Sequence, residues 1–404
     1  MRRTAAAVAL IALLVGAIAH EAGAATARPR LTPVVVAPVS AIPPTGVVGT
    51  DGAMHVLYEL QLTNTQGVAA PLSRIEVRSI DPRGTVAVLE GAELTARLRR
   101  LDNQPVTVPA IDPSSQLLLL IDLTFPTAED VPVALQHRIT FGPTTTTPQA
   151  RTSTEARVDL NSGAAPTLGP PVDGANWVIT NGCCSPLSPH RTAILPTDAG
   201  LSVAQRYAVD FRQMDEAGRF VVADPAQLAS YPGYGVNVLS VAPGRVVSVV
   251  DGFADQPPGV TPAPGTFAPD TNEGNSVVVD LGDGTYAFYG QLQTGSIIVS
   301  EGDRVRRGQA LARLGNSGNS QSPHLHFHLM TAESVIGADG VPFVFNRFGY
   351  SGQIDPARLA QSGLQGTYGD NRFPVPMTRA RQLPLDLAIL DFVASPGSAG
   401  NPLA

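Results

Sequence analysis

The 404-residue chain contains no lysine: all 27 basic residues are arginine. That absence excludes any protein whose work is to carry a cofactor on a lysine amine. Cysteine is almost as scarce. Cys183 and Cys184 are the only two and are neighbours in sequence, which excludes a framework of long-range disulfides. The pair leaves open a bond between adjacent residues in an oxidising compartment, or a soft-metal site with no CxxC partner to complete it. Excess positive charge is missing too. The formal net charge is −7, and a mildly acidic chain has no electrostatic footprint for nucleic acid. Long apolar runs are confined to residues 5–19. That stretch is short for a membrane span, and no second one follows it.

The same run follows Arg2 and Arg3 and precedes Ala22-Gly23-Ala24, a small-x-small cleavage site. Residues 1–24 therefore read as an export signal. Its removal takes away Arg2, Arg3 and Glu21 and moves the formal charge from −7 to −8. The expected setting is secreted, periplasmic or elsewhere in the cell envelope, with no integral membrane segment once the signal is gone.

What remains has a globular balance, 43% hydrophobic and 15% charged, and 39 Gly with 36 Pro favour short strands joined by turns over long helices. An all-β chain of two domains is expected. Over residues 31–142, short alternating stretches such as Met54-His55-Val56-Leu57-Tyr58-Glu59-Leu60-Gln61-Leu62 are separated by turns, the pattern of an immunoglobulin-like sandwich. His55 and His137 have no ligand-like neighbours there and read as structural. Residues 143–171 are rich in Thr, Pro, Gly and Ala and read as a linker. A second β domain is expected over 172–360 and an irregular tail over 361–404, with disorder over 395–404. Within the second domain, residues 276–281 turn through Gly282-Asp283-Gly284 into 285–289, a strong hairpin signal. The Pro/Gly/Thr stretch at 251–272 is longer than a simple connector, and loops of that length are often functional or mobile.

The chemistry concentrates in Pro323-His324-Leu325-His326-Phe327-His328-Leu329. On a strand, side chains alternate faces with period two, so the three imidazoles point the same way. Protonated, they repel; neutral and unliganded, they gain little. A divalent cation resolves the clustering, and neutral imidazole suits zinc.

The strand and the glycines before it resemble peptidase family M23, the LytM/lysostaphin-like metallopeptidases. The resemblance covers roughly residues 180–350. It rests on Gly302-Asp303 through Gly308-Gln309-Ala310-Leu311, on Gly315-Asn316-Ser317-Gly318-Asn319-Ser320, and on His324-Leu325-His326-Phe327. Upstream, Gln205-Arg206-Tyr207-Ala208-Val209-Asp210-Phe211 falls where the family has H-x-x-x-D, Ala242-Pro243-Gly244 matches its small-Pro-Gly strand, and Tyr289-Gly290-Gln291-Leu292 its Y-x-H-L. The resemblance implies an antiparallel β-sheet core, a Zn2+ ion and water-dependent cleavage of peptidoglycan or other extracellular peptides. It implies Asp210 and His326 as zinc ligands and His324 as a general base or transition-state stabiliser.

Two positions depart from the family. Arg206 stands where the first zinc histidine belongs, and a guanidinium that stays protonated cannot ligate zinc. Gln291 replaces the histidine of Y-x-H-L; its amide can still donate to a developing oxyanion. His190, in Ser188-Pro189-His190-Arg191, is the candidate to restore a His/Asp/His set. His328 is the other candidate, but it lies several ångströms along the strand. Arg206 and Asp210 are four apart, so on a strand Arg206 would face the metal side and either pair with Asp210 or swing clear. Two functions stay open: an active zinc endopeptidase, or a degenerate relative that binds peptidoglycan or regulates a wall hydrolase. The glycine-aspartate and glycine-glutamine pairs at 302–309 also resemble lipoyl- or biotin-carrier folds, which need the lysine this chain lacks.

Overall fold

A computed structural model describes residues 32, 34–81, 83–143 and 149–392 of the chain; the expected export signal and the expected disordered end lie outside these residues. The chain is all-β in character. Its first half forms two antiparallel sheets. One has the strand order Val34–Pro38, Met54–Asn64, Gln116–Phe125, Leu98–Arg100, and the other Arg151–Asp159, Ala134–Phe141, Ala70–Ser79, Thr85–Glu90. Alternation drives their stacking: Val56, Leu60 and Ile121 of the first sheet share one buried core with Ile75, Val77, Leu135 and Ile139 of the second.

The expected linker is corrected here. Arg151–Asp159 pairs with Ala134–Phe141 as the edge strand of the sandwich. An edge strand with exposed side chains such as Arg151, Thr152, Arg157 and Asp159 needs no apolar alternation, so its sequence carries little strand signal.

The second half is built on an eleven-stranded sheet. From one edge it runs Arg304–Val305, Gly244–Val250, Ser276–Asp280, Tyr286–Gly290, Leu325–Met330, Val209–Gln213, Gly174–Thr180, Ala388–Phe392, Phe348–Gln353 and Arg372–Arg379, with Gly340–Val341 paired to Leu325–Met330. The hairpin read at 276–289 is present as the antiparallel pair Ser276–Asp280 and Tyr286–Gly290. The tail is not irregular, however: Arg372–Arg379 and Ala388–Phe392 are strands of this sheet, and Ala388–Phe392 lies inside it. The loop at 251–272 is stitched to the segment before His324, where Asn316 donates its backbone N–H to Asp255 (2.7 Å) and its side-chain amide to the Gln256 carbonyl (2.7 Å).

The strand Met54–Asn64 is buried on both faces. Val56 and Leu60 look into the sandwich, whereas Leu57, on the opposite face, joins the core of the large sheet with Trp177, Phe211 and Phe327. Backbone bonds reinforce this contact, from Thr50 N–H to the Leu383 carbonyl (3.1 Å) and from Leu383 N–H to the Val48 carbonyl (2.8 Å).

Candidate metal centre

Three neighbouring strands position the site. On Leu325–Met330 the apolar residues Leu325, Phe327 and Leu329 enter the core, so His326 and His328 emerge on the other face. Antiparallel register sets Asp210 directly opposite His326 on one side and Gly290 opposite it on the other. Directly paired residues share a face, so the Asp210 carboxylate and the His326 ring are brought together by register alone. Gly290 allows close packing on the other side: a Cβ there would lie 2.8 Å from Phe288 Cε1 and 2.9 Å from the Cβ of Glu273.

His190 arrives from outside the sheet, on the short helix Pro189–Thr192. Ligating atoms of His190, Asp210 and His326 all lie within 4.8 Å of one another, and all three residues are buried. His326 Nδ1 is 3.1 Å and His190 Nε2 3.4 Å from Asp210 Oδ1. Two ligands at about 2.0 Å from a tetrahedral zinc stand roughly 3.3 Å apart, so the donor set and its spacing fit that ion.

The remote nitrogens fit it as well. His190 Nδ1 donates to the carbonyls of Asn181 (2.9 Å) and Ala208 (3.1 Å), which leaves Nε2 bare towards Asp210. His326 Nε2 is 3.0 Å from His328 Nδ1; with a cation at its Nδ1, His326 donates through Nε2 to His328. The ring of His328 stacks on Phe288 at 4.8 Å, and His328 Nε2 is buried without a hydrogen-bond partner among the described residues. His328 thus backs His326 rather than joining the three. Asp210 Oδ2 accepts from the Asn181 side-chain amide at 2.7 Å.

His324 stands at the rim of this group, with Nε2 3.6 Å from Asp210 Oδ2. Its Nδ1 donates to the Ser322 carbonyl at 2.8 Å, so Nε2 carries the lone pair. Burial, aided by Arg212 and His326 against the pull of Asp210, pushes its pKa down to about 4. Asp210 behaves oppositely: burial favours its neutral form, but His324 and His190 outweigh it and hold the carboxyl well below its usual range. Burial disfavours a charged His190, yet Asp210 more than offsets that and its pKa is raised.

Gln291 donates its side-chain amide to Glu273 Oε2, while its Oε1 is buried without a partner among the described residues. Glu273 was not legible as a site residue. Its buried carboxylate accepts from Gln205 (2.9 Å) and Asn272 (2.9 Å), and Oε2 lies 4.0 Å from His326 Nδ1. Within the polar run Asp270-Thr271-Asn272-Glu273, Glu273 carries no periodic signal.

Arg206 requires a correction. It does not share a strand face with Asp210, because the strand begins at Val209 and Arg206 lies in the turn before it, where Ala208 N–H bonds the Gln205 carbonyl at 2.9 Å. Its guanidinium reaches Glu59 (2.8 Å), Asp339 (3.2 Å) and the Gly340 carbonyl (3.3 Å). Cys183 and Cys184 are bonded to each other, so neither offers a thiolate.

A buried His/Asp/His triangle on an antiparallel sheet defines a candidate mononuclear metalloprotein. More particularly, residues 229–337 match Peptidase family M23. The matched stretch contains Gln291, His324 and His326 and begins after His190 and Asp210. No curated protein sequence matches the chain. Among solved structures, the catalytic domain of a point mutant of the prophage-encoded M23 protein EnpA from Enterococcus faecalis is similar at 20% identity, over 42% of this chain and 87% of that one, with a TM-score of 0.23. The catalytic domain of lysostaphin from Staphylococcus simulans is similar at 22% identity, over 36% and 80%, with a TM-score of 0.22. A zinc-containing peptidase from Vibrio cholerae is similar at 15% identity, over 74% and 85%, with a TM-score of 0.24. Scores this low leave the reading of the site to the chain's own side chains.

Proposed function

We propose that this chain is an exported zinc-dependent endopeptidase acting on peptidoglycan peptides, with His190, Asp210 and His326 as its metal ligands. The observation that carries the reading is the triangle of ligating atoms within 4.8 Å, reached although Arg206 occupies the position of a family ligand. Zinc bound there supplies Lewis acidity that makes water a nucleophile near neutral pH. His324 is neutral at that pH, its Nδ1–H is fixed by the Ser322 carbonyl, and its free Nε2 takes the proton that water gives up. Gln291 is steadied by Glu273 through one amide hydrogen, and its second hydrogen meets the oxyanion that develops on the peptide carbonyl. The degenerate reading draws on Arg206 and Gln291; the pairing of Arg206 with Glu59 leaves Asp210 to the histidines and favours a working centre. Among the described residues no helix is long and apolar enough to cross a membrane. The strand order of the first half supports an immunoglobulin-like sandwich.

The test joins metal analysis to hydrolysis of isolated peptidoglycan by the purified chain. One zinc per chain is expected. His324→Ala should keep that zinc and lose about 10²–10⁴ in rate. A wild-type chain that takes up no zinc, or hydrolysis that survives His324→Ala undiminished, would contradict the assignment.

A further inference from the structure

A buried ionic cluster among the described residues joins the two halves of the molecule. Glu59 comes from the sandwich strand Met54–Asn64, on the face that meets the large sheet, and is 1% exposed. Its Oε1 lies 3.0 Å from Arg191 Nη2, and its Oε2 lies 2.8 Å from Arg206 Nη2. Both arginines are buried as well. Arg191 also donates to the Ile121 carbonyl of the sandwich at 3.2 Å. One carboxylate thus holds two guanidinium groups from two separate segments.

Those segments are the ones that supply the site from outside the matched family region. Arg191 adjoins His190 on the helix Pro189–Thr192. Arg206 sits in the turn leading to Ala208 and Asp210, and the Ala208 carbonyl accepts from His190 Nδ1 at 3.1 Å. The contacts close a ring: Glu59 to Arg191, along the chain to His190, across to Ala208, back along the chain to Arg206, and to Glu59 again. Removing one member of a buried ion cluster leaves an uncompensated charge, so the ring has one well-satisfied arrangement.

We infer that Glu59 is a positioning residue of the metal centre: the sandwich fixes the His190 helix against the Asp210 turn, and the domain is a working part of the site. The inference rests on the zinc reading above. It also gives Arg206 a role, since the residue in the place of a family ligand becomes the tether through which a histidine from another segment is held.

The experiment compares Zn2+ affinity and the visible Co2+ spectrum of the full chain with those of Glu59→Gln and Leu60→Ala, well below each melting point. Leu60 is fully buried in the same strand but faces the sandwich core, so its truncation weakens the fold without touching the ring. Glu59→Gln should lower metal affinity about 10–100-fold, the usual effect of losing a ligand-orienting partner, and should alter the cobalt bands. Leu60→Ala should keep wild-type affinity and bands despite a lower melting point. Should Glu59→Gln fail to fold, Glu59→Asp replaces it; its shorter reach cannot span both arginines, and a loss of metal affinity is expected there too. Wild-type affinity in the Glu59 variants, or equal losses in Leu60→Ala, would overturn the positioning role alone. A wild-type chain that binds neither ion would overturn the zinc reading and this inference with it.

Discussion

An imidazole binds a metal through a nitrogen that carries no proton, so the neighbour of its other nitrogen decides whether it can serve as a ligand. Carbonyl oxygens accept and never donate; two of them at His190 Nδ1 therefore commit that nitrogen's proton and free Nε2. His328 is placed to accept from His326 instead of binding the metal itself. The two histidines should consequently fail differently. His190→Ala should abolish stoichiometric zinc binding, whereas His328→Ala should keep one zinc at saturation but weaken its binding about 10–100-fold. Titration with a chromophoric chelator distinguishes them, and a His190→Ala chain with wild-type zinc affinity would remove His190 from the ligand set. His324 and His326 were legible because alternation on a strand is a strong pattern. His190 was legible only as an unassigned histidine, since nothing in a Pro-rich segment records which turn it will meet.

At the scale of the element, legibility followed burial. Leu325–Met330 and Ser276–Asp280 are buried along nearly their whole length and announce themselves as strands. Arg372–Arg379 lies at the sheet edge with most side chains exposed, and contains Pro374 and Pro376, which edges tolerate and central strands do not. Ala388–Phe392 is central, but its short run of Ala, Ile and Leu cannot be told from a buried helix segment by periodicity alone, whereas Ser276–Asp280 has three valines and a following Gly-Asp-Gly turn. Ala388–Phe392 pairs with Gly174–Thr180 on one side and Phe348–Gln353 on the other. Removing it would take one of the two partners from Gly174–Thr180, separate Phe348–Gln353 and Arg372–Arg379 from the rest of the sheet, and delete Leu390 and Phe392 from the main core. A chain ending at residue 360 should therefore lack a cooperative thermal transition by circular dichroism. A truncated chain that melts like the full one would show that the terminal strands are dispensable.

Across the whole molecule, the doubly buried strand Met54–Asn64 couples the halves, so a stability change in the sandwich should be felt by the site-bearing sheet. His137 offers a way to test this. It is buried in the sandwich, where Nε2 accepts from Tyr58 (2.7 Å) and Nδ1 donates to the Ala156 carbonyl (2.7 Å). Burial lowers its pKa from 6.5 to about 4, against a smaller opposing effect of that carbonyl. Between these values the unfolded chain binds a proton that the folded chain refuses, so folding stability falls as pH drops from 6.5 to about 4 and falls no further on this account below that. A difference of about 2.5 pH units at about 1.4 kcal/mol each is worth roughly 3–4 kcal/mol. His324 is shifted in the same direction, so the contribution of His137 is the difference between wild type and His137→Gln, whose amide retains one donor and one acceptor. Denaturant unfolding at a series of pH values should give the variant a shallower acid limb by about that amount. The two halves should also move together: near-ultraviolet signal from Trp177, in the large sheet, should report the same midpoint as the sandwich at every pH. Parallel acid limbs would refute the role of His137, and a Trp177 midpoint independent of the sandwich would show that the shared strand does not couple the halves.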